Sequence, residues 1–156
     1  MNTNYNSLMR VGEILVEKGW ITWQQLKKAL ALQQESGQRL GDILVQNKVL
    51  SRKELFHALA SQSGMMFVDL SNVDAQKEAI HSVAKKLAQE YRIIPLVMKD
   101  KTLLIAIADP NGEWPEEKLR TLTDIQEIRT VLACPEDIEK ALLKYYGPTD
   151  QTSKVS

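Results

Sequence analysis

The sequence contains the stretch RVGEILVEKGWITWQQLKKALALQ at residues 10–33, which aligns without a gap on RLGDILVQNKVLSRKELFHALASQ at residues 39–62. Ten of the 24 aligned positions are identical, and the five residues QESGQ separate the two copies. Unrelated sequences would match at about one or two positions in such a window. The first part of the chain is therefore a tandem repeat, in which one structural unit occurs twice.

Each copy predicts a short helix, a turn and a longer helix. Thr22 stands three residues before Gln25, and Ser51 stands three before Glu54, which is the spacing of a capping box at a helix start. On each longer helix, apolar residues form a stripe along one face, and the last position of the stripe is a glutamine in both copies. A side-chain amide repeated on an apolar face indicates a polar partner. The stripes are Leu26, Ala29, Leu30 and Gln33 in the first copy, and Leu55, Ala58, Leu59 and Gln62 in the second.

Each short helix begins with the pattern Arg-x-Gly, at residues 10–12 and again at residues 39–41. Glycine lets another group approach the backbone closely, and the free N–H groups of a helix start favour an anion. Arginine can donate two parallel hydrogen bonds to guanine, and its plane can stack on a base. Leucine stripes alone are typical of any packed helical bundle. Because the polar residues repeat in register with the leucines, the pattern favours a binding function.

One position of the second copy departs from the first. Lys48 stands where the first copy has Gly19, and we expect Gly19 to end its helix in the left-handed conformation, which lysine disfavours. Asn47 tolerates that conformation better. We therefore expect Asn47 to adopt it and to shift the second turn by one residue.

The rest of the chain predicts a mixture of short strands and helices. In chain order these are an extended segment over residues 66–70, a helix over 82–90, strands over 93–98 and 102–108 joined by a turn, a helix over 115–122, a strand over 125–132 and a helix over 135–146.

The predicted fold class is α+β, with an N-terminal helical tandem-repeat subdomain followed by a small α+β subdomain. The first subdomain covers residues 8–63 and the second covers residues 64–147. The polar tail over residues 148–156 is predicted to be disordered or a linker.

Charge and hydropathy exclude several classes of protein. The 20 basic and 20 acidic residues cancel, although the first 62 residues carry +3 and the remainder −3. This is too little positive charge for a protein that binds duplex nucleic acid. The longest apolar run, residues 103–108, is too short to span a membrane, and the first residues lack a signal-peptide core. We expect a cytoplasmic protein.

The residues that usually carry catalysis or bind metals are isolated. Cys134 is the one cysteine, His57 and His81 are far apart in the sequence, and Asp109 precedes a proline as turn residues do. No phosphate-binding loop of the form G-x-x-x-x-G-K-[ST] is present in this sequence. We therefore expect no catalytic residues, no metal and no cofactor other than a bound ligand.

Both copies follow a motif close to RLGxxLxxxGxLxxxxLxxALxxQ, which resembles the tandem motif of the MshEN-type N-terminal domain of type II secretion and type IV pilus assembly ATPases. The resemblance continues into the second half, through the strand IIPLV, the strand end AIADP and the helix end KYYG, and covers about residues 8–147. In that family two such motifs bind one cyclic di-GMP, each motif holding one half of the dinucleotide.

The resemblance implies a cytoplasmic, non-enzymatic cyclic di-GMP receptor that regulates a secretion or pilus machine. It implies a protein partner in that machine, and neither DNA nor RNA. The implied ligand-binding residues are Arg10, Val11, Gly12, Leu26, Leu30 and Gln33 in the first motif, and Arg39, Leu40, Gly41, Leu55, Leu59 and Gln62 in the second.

The alternative is a protein–protein adaptor domain, which docks an ATPase of this kind to its inner-membrane platform without binding nucleotide. An adaptor needs the leucines but not the repeated Arg-x-Gly and Gln. The sequence leaves open whether the chain acts alone or is part of a longer protein.

Overall fold

The computed structural model describes residues 11–110, 114–123 and 125–148. The chain divides into two compact units between Gly64 and Met65. The first unit is helical, and the second combines helices with a three-stranded sheet, so the α+β class predicted from the sequence is confirmed. Arg10 and residues 149–156 of the predicted tail lie outside the described residues.

The first unit consists of two helix–turn–helix copies, as the repeat predicts. Its helices are α1, described over residues 11–17, α2 (Trp23–Ser36), α3 (Leu40–Gln46) and α4 (Arg52–Gln62). Both predicted capping boxes are confirmed. The Thr22 hydroxyl accepts from the Gln25 N–H at 3.1 Å, and the Ser51 hydroxyl accepts from the Glu54 N–H at the same distance. These bonds fix the face that each longer helix presents to the core.

The turn after each short helix has the same hydrogen bond in both copies. In the first, the Gly19 N–H donates to the Val16 carbonyl at 3.0 Å. In the second, the Lys48 N–H donates to the Val45 carbonyl, also at 3.0 Å. Gly19 and Lys48 both adopt the left-handed conformation, with φ of 76° and 58°.

The expectation that Asn47 would adopt the left-handed conformation is wrong. Asn47 has a φ of −84°, and its side-chain amide donates to the Ile43 carbonyl at 2.9 Å. The turn keeps its register because Leu50, two residues after Lys48, is buried as Ile21 is buried in the first copy. A shift by one residue would move Leu50 out of the core. Lys48 therefore carries a conformational cost that a glycine avoids.

The second unit has a mixed three-stranded sheet. Its elements are α5 (Lys77–Ser82), α6 (Lys85–Tyr91), β1 (Ile93–Lys99), β2 (Thr102–Ile107), α7 (Glu116–Thr123), β3 (Glu127–Leu132) and α8 (Pro135–Tyr146). The strand order is β1-β2-β3, with β1 antiparallel and β3 parallel to β2. The central strand carries the core of this unit, because Leu103 and Ile105 are fully buried.

Most of the predicted elements of this unit are confirmed. The hairpin forms with a two-residue turn, Asp100 and Lys101, both at positive φ as such turns require. The last helix spans the predicted residues 135–146 and begins with its proline. The extended segment predicted at residues 66–70 is not a strand but forms a parallel bridge between Phe67 and Leu132.

The helix predicted over residues 82–90 is confirmed as α6, although α6 begins only at Lys85, and the sequence analysis did not predict α5 before it. The chain between them is extended at Val83, whose side chain is buried. The Tyr146 hydroxyl lies 3.0 Å from the Ile80 carbonyl oxygen and 3.1 Å from the Val83 carbonyl oxygen. A side chain 63 or more residues away thus donates its one hydroxyl proton to the carbonyls at the end of α5, either to one of them or shared between the two. Sequence periodicity contains no signal for this contact.

Replacing Lys48 tests the conformational cost in the second turn. Lys48→Gly is expected to raise the free energy of unfolding by about 1 kcal/mol, because glycine adopts a positive φ without strain. The reciprocal change, Gly19→Lys, is expected to lower it by a similar amount. A Cβ at Gly19 would meet no atom within 4 Å, so the reciprocal change tests backbone conformation and not packing. Urea unfolding followed by circular dichroism measures both effects, and equal stability of Lys48→Gly and the wild type would contradict the strain.

Alkaline unfolding tests the Tyr146 contact. Burial raises the pKa of the Tyr146 hydroxyl above its ordinary 10.0, because a buried phenolate loses hydration. The folded state then binds the proton more tightly than the unfolded state, so stability is retained below pH 10 and falls as the pH rises above it. Tyr146→Phe is expected to cost about 1 kcal/mol at neutral pH and to flatten this alkaline fall. Tyr145→Phe is the matched control and should leave the fall in place.

Candidate functional site

The predicted ligand residues differ in exposure, and the difference is the same in both repeats. The apolar residues at the start of the short helices and of the stripes are buried: Val11 and Leu26 in the first repeat, and Leu40 and Leu55 in the second. The far ends of the stripes are half-buried: Leu30 and Gln33 on α2, and Leu59 and Gln62 on α4. Each longer helix therefore leaves a leucine and a glutamine accessible near its C-terminal end.

The glycines of the two Arg-x-Gly patterns lie against leucines of their own repeat. A Cβ at Gly12 would lie 2.6 Å from a methyl group of Leu26, and a Cβ at Gly41 would lie 2.7 Å from a methyl group of Leu55. Real Cβ atoms essentially never approach so closely. The short helix of each repeat thus packs directly on its longer helix, and this packing alone accounts for both glycines.

Arg39 lies at the start of α3, directly before this contact. It is the N-cap residue, with an extended backbone (φ −68°, ψ 141°), and its side chain makes no capping hydrogen bond. The side chain is exposed, and no described residue forms an ion pair with it. Nearby, Asp42 is 3.5 Å from the Arg52 guanidinium, so the one acidic residue in the first turn of α3 already has a cationic partner. Arg39 is therefore available to an anionic or guanine ligand.

The helices of the two repeats pack in sequence order. Helix α2 of the first repeat packs against α3 of the second, and α3 packs against α4. The short helix that begins after Arg39 thus lies beside both longer helices, which carry the accessible leucines and glutamines. The structure brings together elements from both copies of the motif, while Arg10 lies outside the described residues.

An aromatic contact between the repeats involves two residues that the motif does not include. The rings of Trp20 and His57 have centroids 5.4 Å apart, with 56° between their planes. Trp20 lies in the turn of the first repeat and His57 on α4 of the second. Their equivalents in the other copies are Val49 and Lys28, so the repeat pattern contained no signal for this pair.

Within the described ranges, no group of three or more His, Cys, Asp or Glu side chains is arranged to hold a metal ion. Cys134 is buried at the start of α8. None of the helices among these residues is long and apolar enough to cross a membrane.

The family model of the MshEN domain matches residues 63–152. Curated relatives extend the similarity over the repeats. The type IV pilus assembly ATPase PilB of Myxococcus xanthus is 32% identical over 138 residues, which is 88% of this chain and 24% of that protein. PilB of Thermus thermophilus is 28% identical over 94% of this chain and 16% of that protein. Bacteriophage adsorption protein B of Escherichia coli K12 is 30% identical over 66% of this chain.

The chain spans a quarter or less of the length of these relatives. Among solved structures, MshE with cdg is 30% identical, with a TM-score of 0.67 over 88% of this chain and 99% of that one. The N-terminal domain of XpsE is 20% identical, with a TM-score of 0.56 over 90% of this chain and 96% of that one. The XpsE match supports the fold alone.

A double-mutant cycle tests the contact between glycine and leucine. Gly41→Ala is expected to lower the free energy of unfolding by about 1–3 kcal/mol, because the added methyl group overpacks against Leu55. In the Leu55→Ala background the same change should cost clearly less, since the clashing methyl groups are gone. Chemical unfolding of the four proteins gives the coupling. Additive effects would show that Gly41 is required for some reason other than this contact.

Proposed function

Because this chain belongs to the MshEN domain family, we propose that it is a cyclic di-GMP receptor domain in which each repeat holds one half of the dinucleotide. The observation that carries the proposal is the similarity to MshE, solved with cdg, over 88% of this chain. We take cdg in that structure to be cyclic di-GMP. The similarity is too extensive to be limited to the second unit, so it includes the repeats that would form the site.

The symmetry of the ligand supports the assignment. Cyclic di-GMP consists of two identical guanylate halves related by a twofold axis. The first unit offers two copies of the same arrangement, in which the leucine and glutamine positions of the motif have the same burial in both copies. A site made from two copies of one motif can contact both halves with the same chemistry. A ligand without internal symmetry would leave one copy without a purpose.

The accessible residues of the two motifs have the chemistry that a guanylate needs. The guanidinium of Arg39 donates to the O6 and N7 acceptors of guanine or stacks on the base. Leu30 and Leu59 provide apolar surface for the rings, and Gln33 and Gln62 offer amides for hydrogen bonds to the base edges. Arg10 is proposed to do in the first half what Arg39 does in the second.

The motif residues at the contact between each short helix and its longer helix have a different role in this proposal. They hold the starts of the two short helices at a fixed distance from the longer helices and so position the arginines. The positioning residues are Val11, Gly12 and Leu26 in the first repeat, and Leu40, Gly41 and Leu55 in the second. Preorganisation of this kind reduces the entropy lost when the ligand binds.

The proposed output is a change in protein contacts. A ligand that bridges both repeats favours the arrangement in which both half-sites are complete, and it shifts the population by its differential affinity for that arrangement. The relatives named PilB are assembly ATPases of type IV pili. We propose that this domain regulates a secretion or pilus machine in the cytoplasm through a protein contact, and that it does so without catalysis of its own.

The second candidate is an adaptor that makes a protein contact without nucleotide. Two observations favour it: packing alone accounts for the glycines of the motif, and the family model matches residues 63–152, which do not include the repeats. An adaptor would not require the guanidinium of Arg39 to be available. Ligand binding therefore distinguishes the two candidates.

Isothermal titration calorimetry with cyclic di-GMP tests the proposal. One ligand per chain is expected, and Arg39→Ala should weaken binding by about tenfold or more, which is the size of one bidentate guanine contact. Lys27→Ala is the matched control, because it removes one exposed positive charge from the same unit and should leave the affinity unchanged. Leu30→Ala should weaken binding, while Leu32→Ala on the same helix should not.

GTP, cyclic AMP and linear pGpG serve as ligand controls. Binding of cyclic di-GMP alone, lost in Arg39→Ala, supports the receptor. Absence of heat and of any thermal shift would reject the receptor in favour of the adaptor. Equal affinity of wild type and Arg39→Ala would reject the proposed site even if the ligand binds.

A further inference from the structure

The two edges of the sheet in the second unit differ in how they are covered. On β1, Gln76 occupies the outer edge: its N–H donates to the Leu96 carbonyl at 2.9 Å, and its side-chain oxygen accepts from the Met98 N–H at 3.1 Å. On β3, the last residue is the only one with such a neighbour among the residues that the structure describes. Leu132 donates to the Met66 carbonyl and accepts from the Val68 N–H, both at 2.8 Å.

The direction of the backbone groups along β3 follows from these bonds. Those of Leu132 point away from β2, and alternate residues of a strand point the same way. Ile128 and Thr130 therefore present their N–H and C=O groups to the outer edge. In agreement, the N–H groups of Glu127 and Ala133 donate towards β2, to the carbonyls of Lys101 and Ile107. Within the described residues, no hydrogen bond covers the outer groups of Ile128 or Thr130.

The side chains along this edge form a charge pattern around Ile128. Glu127 and Arg129 lie on one face of the sheet, with the Arg129 Nε 3.1 Å from the Glu127 carboxylate, and both side chains are more than half exposed. Ile128 and Thr130 lie on the opposite face, because they pair in register with Leu103 and Ile105, which are fully buried. That face is the covered one.

We infer that the outer edge of β3 pairs with β3 of a second copy of this chain, antiparallel and centred on Ile128. In this register each Ile128 exchanges two hydrogen bonds with Ile128 of the other copy, and each Thr130 N–H donates to the Gln126 carbonyl opposite. The two isoleucine side chains meet on the covered face. The pairing is isologous: one twofold axis relates the two copies, and the exposed backbone groups of both β3 edges form hydrogen bonds.

The charges select this register over its neighbours. With Ile128 at the centre, Glu127 of each copy faces Arg129 of the other. An antiparallel register centred on Arg129 would place the two arginines opposite each other, and one centred on Glu127 would oppose the two glutamates. An in-register parallel pairing would place Glu127 beside Glu127 and Arg129 beside Arg129 of the other copy. Like charges directly opposite are destabilising, so the centre at Ile128 is the one that the strand favours.

The covered part of the edge fixes the length of the pairing. Residues 66–68 occupy the edge at Leu132, and a centre at Thr130 would require that same position for the second copy. A centre at Ile128 uses the N–H and C=O of Ile128, the N–H of Thr130 and the carbonyl of Gln126, whose own N–H donates to the Lys101 carbonyl at 2.8 Å. Charged residues on an edge strand often prevent pairing, but here their signs are complementary under the twofold axis.

Sedimentation of the whole chain, from low micromolar to high submillimolar concentration, tests the inference through charge exchange. The wild type is expected to dimerise reversibly. Glu127→Arg and Arg129→Glu, each alone, should weaken the dimer by about tenfold, because every cross-strand charge pair becomes repulsive. The double variant with both changes should return close to the wild-type affinity. A mixture of the two single variants should form a heterodimer, since their charges are complementary.

A backbone variant tests the hydrogen bonds separately. Thr130→Pro removes an N–H that points outwards and should abolish the dimer while the thermal unfolding midpoint stays near that of the wild type. Thr130→Val is the matched control, because it retains the N–H and the β-branched shape. If Thr130→Pro unfolds, the charge-exchange set alone decides the result. A wild type that stays monomeric at all concentrations overturns the inference, as does a dimer that is indifferent to the charge exchanges.

Discussion

The contact between a helix-start glycine and a leucine of the next helix, made once in each repeat, is the constraint on which the first unit depends. A Cβ at Gly12 or Gly41 would lie closer to the leucine methyl groups than side chains approach in proteins. The short helix can therefore reach its longer helix at this distance without displacing the leucine side chain only at a glycine. In the second repeat that contact lies directly after Arg39, the N-cap residue of α3, so the packing of the repeat and the placement of its arginine have the same cause.

The arrangement separates the buried leucines of the motif from those that remain partly accessible. Leu26 and Leu55 are buried in the core, whereas Leu30 and Leu59 lie one helical turn further along and remain partly accessible. A motif written as a sequence does not distinguish these leucines, because both positions are apolar and lie on the same stripe. Conservation of the motif's chemistry in both copies is thus partly a requirement of packing and partly, in our proposal, a requirement of the dinucleotide.

The second unit is organised differently, around a central strand with neighbours of opposite direction. Its side-chain contacts join residues that are far apart in the chain: the Tyr146 hydroxyl closes the end of α5, and the Tyr145 hydroxyl accepts from the Ala75 N–H at 2.9 Å. Helix α8 therefore holds the helix α5 and the segment before it in place. Among the described residues, the outer edge of β3 is uncovered before Leu132, and its short length limits that surface to a few outward-pointing backbone groups.

The sequence by itself determined the tandem repeat, the two capping boxes, the hairpin and the last helix, because each depends on residues within one turn or a few positions of each other. It also indicated the motif residues and the family. Only the tertiary structure decided that Lys48 keeps the left-handed turn, that the chain is extended at Val83 between α5 and α6, and that Trp20 contacts His57. The physical reason is the same in each case. Each feature depends on contacts between residues that are distant in the sequence, and these contacts outweigh local conformational preference. The contacts are the burial of Leu50 in the core, the hydrogen bond of the Tyr146 hydroxyl and the packing of one repeat on the other.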